Sequence, residues 1–294
     1  MKKKMTLLSI VFMTSTFLGC SRGASESENL KRQWISSGAE LSVPESVVYD
    51  DQKQALYVSN VNSQSSGNPW EDNGGFISKL NRDGKVIELK WITGLKAPKG
   101  LTVNGEHLYA ADLNGVVDIN TTSGKIIQRW DAPTGVQMLN DITFDGANNC
   151  LYISDSGTKE IYTVTPDGAF SLLYAKESSL KPEQNGLLME SNSLIMQGTV
   201  GYLKSFNPTD TQKVTIISDS VGIAIDGITK YEDKGYLIST WGGEIHFVDH
   251  QGVSKLLLDS KPNRTADIAY ISELGLLLVP NFDKNIVAYT VRGL

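Results

Sequence analysis

Cysteine and histidine are scarce in this sequence, and the scarcity of cysteine excludes a disulfide-stapled fold. The chain has 294 residues with two cysteines, Cys20 and Cys150, and three histidines. Only Cys150 follows Cys20, and a single thiol cannot form an internal disulfide. Because Cys150 occupies an apolar position of a predicted strand, we expect it to be buried and inert. Stability must therefore come from a hydrophobic core.

Long apolar runs and strong charge are also absent. The net charge is −6, without a long basic or acidic run. This argues against a nucleic-acid partner, which would require a basic face. Near the start, the apolar stretch from Leu7 to Leu18 follows Met1-Lys-Lys-Lys and is too short to span a bilayer. Its length and its basic flank are typical of a signal peptide, so we expect an exported protein.

The apolar stretch ends in Phe17-Leu-Gly-Cys20, which resembles the lipobox of bacterial lipoproteins, with Phe where Leu is usual. The resemblance implies that residues 1–20 are a lipoprotein-type signal peptide and that the lipidated Cys20 is the only membrane anchor. Ser21, in place of Asp, implies the outer membrane of a Gram-negative cell, facing the periplasm. Residues 21–30 are rich in Ser, Glu and Gly, which predicts a flexible tether. An ordinary signal peptide cut nearby is the alternative.

One pattern returns six times along the rest of the chain. A polar residue opens it, an alternating strand and a turn follow, and a second apolar strand completes it. Successive copies start 40 to 45 residues apart, except for the first pair, which are 54 apart. A period of about 40 residues with several short strands per unit is typical of a β-propeller. The copies open at Glu45, Lys99, Asn140, Asn185, Asp226 and Ala266.

The end of the last repeat predicts how the ring closes. The earlier repeats continue with a third strand, a hairpin such as Arg82-Asp-Gly-Lys, and a fourth strand. The sixth repeat stops after its third strand, Ile286-Val-Ala-Tyr-Thr-Val. The segment from Lys31 to Ser37 can supply the missing strand, and closure removes unpaired strand edges. The sequence therefore predicts an all-β, six-bladed β-propeller over residues 31–294, with its last blade closed by an N-terminal strand.

The six opening residues carry the candidate chemistry. Equivalent positions of a ring converge on its axis, so Glu45, Asn140, Asn185 and Asp226 should meet in one channel. Buried acids and amides need partners, and oxygen ligands suit a hard cation such as Ca²⁺. None of the six is His or Cys, which disfavours zinc. Lys99 enters the same channel: it either neutralises the acids without a metal, or lies further up and binds the substrate.

Four of these openings also carry a family resemblance. Pro44-Glu45-Ser, Asn140-Asp141, Asn185-Gly-Leu and Asp226-Gly-Ile resemble the blade-opening motifs of the SMP-30/gluconolactonase family, over essentially the whole mature chain. The resemblance implies a divalent metal, often calcium, in the central channel, and lactone hydrolysis as the activity. It further implies Glu45, Asn185 and Asp226 as metal ligands, and Asn140 as a contact to the substrate or to metal-bound water.

If that activity is retained, the substrate is a lactone or a related cyclic ester of a sugar acid. The metal would polarise its carbonyl group, and Asp226 would accept a proton from the attacking water. Asn140 would orient the substrate, and Lys99 would bind its carboxylate or hydroxyl groups. Trp241 lies in the tight turn Ser239-Thr-Trp-Gly-Gly, where we expect it to form a wall for the substrate.

The first repeat is longer than the others by about 13 residues, through a Gly-, Ser- and Asn-rich insertion over residues 62–75. This loop of a propeller lies at the end where the innermost strands begin. We therefore expect it to border the channel, with Trp70 stacking on a ligand. A surface excursion without a binding role is the alternative.

A propeller fold does not by itself imply catalysis. The alternative to a hydrolase is an NHL-like propeller that binds a protein, a glycan or a small ligand without turnover. That alternative predicts a broad apolar or aromatic patch on one face. In either case we expect a monomer.

Overall fold

The computed structural model describes residues 25–26, 28–62, 71, 74–175, 185–198, 201–222, 224–261 and 263–294. These residues form strands joined by turns and bends, and no helix occurs among them. Within the same ranges, therefore, no helical segment meets the length and hydropathy of a membrane span. Cys20, Trp70 and most of the insertion lie outside the described residues.

The described chain forms 25 strands in six antiparallel sheets, which are the blades of a propeller. Two strands precede the first complete blade: β1 (Ser25–Glu26) and β2 (Leu30–Ile35). Blade one is β3 (Pro44–Asp50), β4 (Ala55–Asn60), β5 (Phe76–Asn81) and β6 (Val86–Ile92). Blade two is β7 (Pro98–Asn104), β8 (His107–Asp112), β9 (Gly115–Asn120) and β10 (Lys125–Asp131). Blade three is β11 (Leu139–Asp145), β12 (Cys150–Asp155), β13 (Glu160–Val164) and β14 (Phe170–Tyr174).

The remaining blades repeat the arrangement. Blade four is β15 (Leu187–Glu190), β16 (Ser193–Gln197), β17 (Leu203–Asn207) and β18 (Asp210–Ser218). Blade five is β19 (Ile225–Tyr231), β20 (Gly235–Thr240), β21 (Glu244–Asp249) and β22 (Ser254–Asp259). Blade six takes β23 (Ala269–Ile271), β24 (Leu276–Pro280) and β25 (Ile286–Val291) from the end of the chain. The prediction of an all-β, six-bladed propeller is confirmed.

The N-terminal segment closes the ring, as predicted. Strand β2 pairs antiparallel with β25, so blade six has the order β2-β25-β24-β23. Just before β2, the buried Asn29 donates its side-chain amide to the carbonyl oxygens of Arg292 and Gly293, at 2.8 and 3.2 Å. Upstream of Asn29, β1 adds a fifth strand to blade five by pairing with β22. The segment expected to be a tether therefore already contacts the propeller at Ser25–Glu26.

Burial follows the radial order of the strands. In blades one, three and five, the second strand is buried at every residue, because neighbouring blades cover both of its faces. The fourth strands contain two or more exposed residues each, because they form the outer wall. Cys150 starts β12 as a buried free thiol, in agreement with the prediction, and burial raises its pKa.

A repeated contact joins neighbouring blades near their outer edges. The indole ring of Trp34 in β2 lies directly on Gly84, in the hairpin between β5 and β6. Two further tryptophans of outer strands lie on hairpin glycines of the following blade, as Trp91 on Gly124 and Trp130 on Gly168. The first of these contacts crosses the ring closure between blades six and one. Trp34 therefore packs at the closure as its counterparts pack between consecutive blades.

Candidate active site in the central channel

The six opening residues stand at equivalent places around the ring. Glu45, Lys99, Asn140 and Asp226 are each the second residue of the first strand of a blade. All four are buried, with no more than 7% of their surface exposed. The other two openings, the half-buried Asn185 and the buried Ala266, come shortly before β15 and β23.

The structure brings several of these predicted site residues together. The side-chain amide of Asn185 donates a hydrogen bond to Oδ1 of Asp226, across the boundary between blades four and five. The charges of Lys99 and Asp226 both act on the Glu45 carboxyl, which places acid and amine in one electrostatic environment. The Asn140 amide, on blade three, donates to Oγ of Ser156 at 2.9 Å. The channel therefore contains two acids, two amides and one amine from five blades.

Burial dominates the proton affinities of the Glu45–Lys99 pair. It raises the pKa of Glu45 well above the usual value, while nearby Lys99 opposes this rise and Asp226 adds to it. It also lowers the pKa of Lys99, against the attraction of Glu45 and Asp226. For both groups the cost of leaving water exceeds the stabilisation that the partner provides. The pair is thus poorly compensated in its charged form.

A second pair of acids, Asp141 and Asp267, directly follows two of the opening residues in the chain. Oδ2 of Asp267 accepts a hydrogen bond from Oγ of Ser46 at 2.6 Å. Burial raises the pKa of Asp267 to about 7. Asp141 accepts backbone N–H groups from Ile142 at 2.7 Å and, on the next blade, from Leu187 at 2.6 Å. Burial, followed by the charge of Asp267, raises the pKa of Asp141 as well.

Two glycines make room for these acids. A Cβ atom at Gly100 would lie 2.7 Å from Oδ1 of Asp141, and one at Gly227 would lie 2.5 Å from Oδ1 of Asp267. Sequence reasoning did not identify Asp141 and Asp267 as site residues. The sequence does carry a signal for them. Four of the six residues that follow the openings are Ser or Gly, and the two exceptions are Asp141 and Asp267. The four small residues are Ser46, Gly100, Gly186 and Gly227.

The donor set fits a hard cation in its chemistry. Oε2 of Glu45 and Oδ1 of Asn140 are buried oxygens without a hydrogen-bond partner in the described part of the chain. Unpartnered buried oxygens are costly, and carboxylate and amide oxygens are the ligands that Ca²⁺ prefers. Among the described residues there is no cluster of three or more His, Cys, Asp or Glu side chains with metal-binding geometry. A site here would therefore use amide oxygens beside its carboxylates.

The predicted substrate wall, Trp241, lies in a turn at the rim. Trp241 occupies the turn between β20 and β21 with 46% of its surface exposed. Its indole ring is covered on one face by the guanidinium group of Arg264, at 3.6 Å from the ring centroid. Whether Trp70 contacts a ligand stays a prediction, since this residue lies outside the described ranges.

Comparisons with known proteins identify the fold and leave the activity open. No protein-family model matches the chain, and no curated protein does either. A streptogramin B lyase aligns with a TM-score of 0.63 at 12% identity, over 90% of this chain and 98% of its own. A structural-genomics protein assigned as a gluconolactonase aligns with a TM-score of 0.63 at 17% identity, over 93% and 94%. A chain of the nidogen/laminin complex aligns with a TM-score of 0.61 at 17% identity, over 78% and 84%. At these identities the likeness shows a shared propeller fold only.

Proposed function

We propose that the protein is a cell-envelope hydrolase of the gluconolactonase type, which opens a lactone or a related cyclic ester of a sugar acid with a divalent cation. The observation that carries the proposal is the charge balance of the channel. Among the described residues of the channel, four buried or half-buried acids, Glu45, Asp141, Asp226 and Asp267, face one amine, Lys99. One ammonium group cannot neutralise four carboxylates, so protons or a bound cation must complete the balance.

Glu45, Asn185 and Asp226 would hold the cation, with Ca²⁺ as the best match to their oxygen donors. When bound, it would polarise the ester carbonyl group and stabilise negative charge on its oxygen. The chain's own side chains would handle the proton. Asp226 would take it from a water molecule as the water oxygen attacks the carbonyl carbon. The ring C–O bond then breaks, and the proton passes to the alkoxide oxygen, which yields an open-chain hydroxy acid.

Two further residues would position the substrate. Oδ1 of Asn140 is buried and has no hydrogen-bond partner in the described part of the chain, so it can accept a hydrogen bond from a substrate hydroxyl group. Lys99 donates hydrogen bonds only and would bind a substrate hydroxyl or carboxylate. Lys99 would also lower the affinity of the channel for a cation, because its ammonium group repels a second positive charge.

Metal content tests the proposal directly. The full-length protein should contain about one divalent ion, and a chelator should lower its melting temperature. Glu45→Gln keeps the side-chain shape and removes one ligand charge, so we expect at least a 10- to 100-fold loss of cation affinity. Glu88→Gln on the exposed face of β6 is the matched control. Equal metal content in both variants would disprove the coordination.

The location of the protein belongs to the same proposal. A lipid on Cys20 would hold the propeller at an outer membrane, facing the periplasm. Replacing Cys20 with serine should then move the protein from the membrane fraction to the soluble fraction. An unchanged distribution between the two fractions would count against lipid anchoring.

A second candidate function is non-catalytic binding of a protein, glycan or small ligand. The exposed large apolar side chains favour it in part, because most of them lie on the outer strands and could contact a partner. They are spread over several blades, however, and do not gather on one. Absence of both bound metal and lactone turnover in the purified protein would favour this candidate. The exposed apolar residues of the outer strands β6, β10, β14, β18 and β22 are Ile87, Ile127, Leu172, Val214, Ile216 and Leu256.

A further inference from the structure

An arginine and two aromatic residues form a cluster on blades five and six. Its members are Trp241, Arg264 and Phe282, which we call the mouth cluster. The guanidinium carbon of Arg264 lies 3.6 Å from the centroid of the Trp241 ring. The Phe282 ring meets the same indole edge-on, at 6.5 Å between centroids and an interplanar angle of 80°. The three side chains thus form one contiguous group.

The backbone places this cluster at the end of the channel where the opening residues stand. The N–H group of Trp241 donates to the carbonyl oxygen of Ala224, two residues before Asp226, at 2.9 Å. Arg264 stands two residues before Ala266. The N–H group of Ala266 donates to Pro280, two residues before Phe282, at 3.0 Å. The cluster therefore borders the ring beside Asp226, on the one side where the opening residue is not polar.

Arg264 differs from the nearby Lys261 in having an aromatic ring, and not a carboxylate, as its partner. Its neighbour Lys261 is paired with Glu244, which also contacts His246 at 3.2 Å. Arg264 joins no ion pair among the described residues, and its guanidinium group stacks on Trp241. An arginine carries five N–H donors in a planar fork that matches a carboxylate. Stacking on an indole holds the fork in place and leaves its edge available for hydrogen bonds.

The backbone conformation of Phe282 indicates that surrounding contacts hold this residue of the mouth cluster in place. Its φ angle is +53°, in the left-handed region that bulky residues rarely adopt. Such a conformation persists only where surrounding contacts hold it, and it recurs at ligand-binding positions. Here it accompanies the contact of the Phe282 ring with Trp241.

We infer that Arg264, held on Trp241, binds a carboxylate group of the ligand at the mouth of the channel. The substrate class is then a lactone that keeps a second, free carboxylate, as in the monolactone of a sugar diacid. The inference rests on the proposed function in one respect: the proposed function places the lactone ester within the channel. Binding of the carboxylate itself depends on the mouth cluster.

Two lactones that differ in one group provide the test. Glucaro-1,4-lactone carries a terminal carboxylate, where glucono-1,4-lactone has a neutral CH₂OH group. Charge-assisted hydrogen bonds of this type correspond to about 10- to 100-fold in affinity. Arg264→Gln should raise KM for the acidic lactone by that factor, with little effect on the neutral one. Arg264→Lys should restore only part of the difference, because an ammonium group lacks the planar fork. The control is Arg82→Gln, at an exposed arginine of another blade.

The outcomes separate the two proposals. If both lactones are hydrolysed and Arg264→Gln changes KM equally for the two, or for neither, the inference is overturned. The proposed hydrolase function then still stands. If neither lactone is hydrolysed, the proposed function fails, and binding of the glucarate dianion is then measured by calorimetry. Loss of that binding in Arg264→Gln, but not in Arg82→Gln, supports the inference without catalysis. Absence of glucarate binding to the unmodified protein overturns it.

Discussion

The contact between Trp34 and Gly84 is the place where a single methyl group should strain the closure of the ring. In Gly84→Ala, the new Cβ atom would lie 2.4 Å from two atoms of the indole ring. Overpacking of this kind costs about 1–3 kcal/mol. Gly84 also has a φ angle of +80°, and the left-handed region costs a non-glycine residue roughly 1–2 kcal/mol. Lower entropy of the unfolded chain offsets about 0.4–1 kcal/mol, which leaves a loss of about 1–4.5 kcal/mol.

A matched glycine separates the clash from the backbone cost. Gly105 has a φ angle of +58° and no atom within 4 Å of its would-be Cβ. Gly105→Ala should therefore cost about 1 kcal/mol or less, from the backbone conformation alone. The assay is urea unfolding of both variants, followed by circular dichroism. In a Trp34→Ala background, the cost of Gly84→Ala should fall toward that of Gly105→Ala. Equal destabilisation by Gly84→Ala and Gly105→Ala in the unmodified background would show that the Trp34 ring does not clash with the new methyl group.

Three further predictions concern the ring and its channel. Deletion of β2 should prevent cooperative thermal unfolding, because it reopens blade six; a deletion variant that melts like the parent would contradict closure. Asp267→Asn should stabilise the protein at pH 8 more than at pH 5 in chelator. The folded pKa of about 7 is above the unfolded one, so the stability that the protonated carboxyl supports at low pH is lost as pH rises toward 7. Each unit of that shift corresponds to about 1.4 kcal/mol, but Asp267 is only half-buried, so we expect about 1–2 kcal/mol. Equal effects at both pH values would rule this out. Lys99→Met should increase calcium affinity by about tenfold or more in a calorimetric titration, because it removes a buried positive charge; unchanged affinity would place the cation away from Lys99.

The repeat period and the strand patterns are enough to predict the blade count, the closure of the ring and the opening positions. A period of about 40 residues aligns equivalent positions, and a ring converts that alignment into convergence on one axis. The position of Glu45 in the first strand could therefore be predicted without coordinates, as could those of Lys99, Asn140 and Asp226. The closure of the ring could be predicted by counting strands. The last repeat has only three, and an unassigned strand, β2, lies at the other end of the chain. These features depend on alternation and turn residues, which short stretches of sequence carry.

Which side chains meet between blades depends on how the blades pack against one another in three dimensions. Asp267 contacts Ser46, and Trp34 lies on Gly84, although the members of the first pair are 221 residues apart in the chain. Arg264 stacks on Trp241 through a turn and a loop that follow no strand period. Contacts of this kind depend on the angle at which neighbouring blades pack and on the side-chain volume at each position. Strand periodicity specifies neither, because it records which residues face inward and not which residue of the next blade they meet.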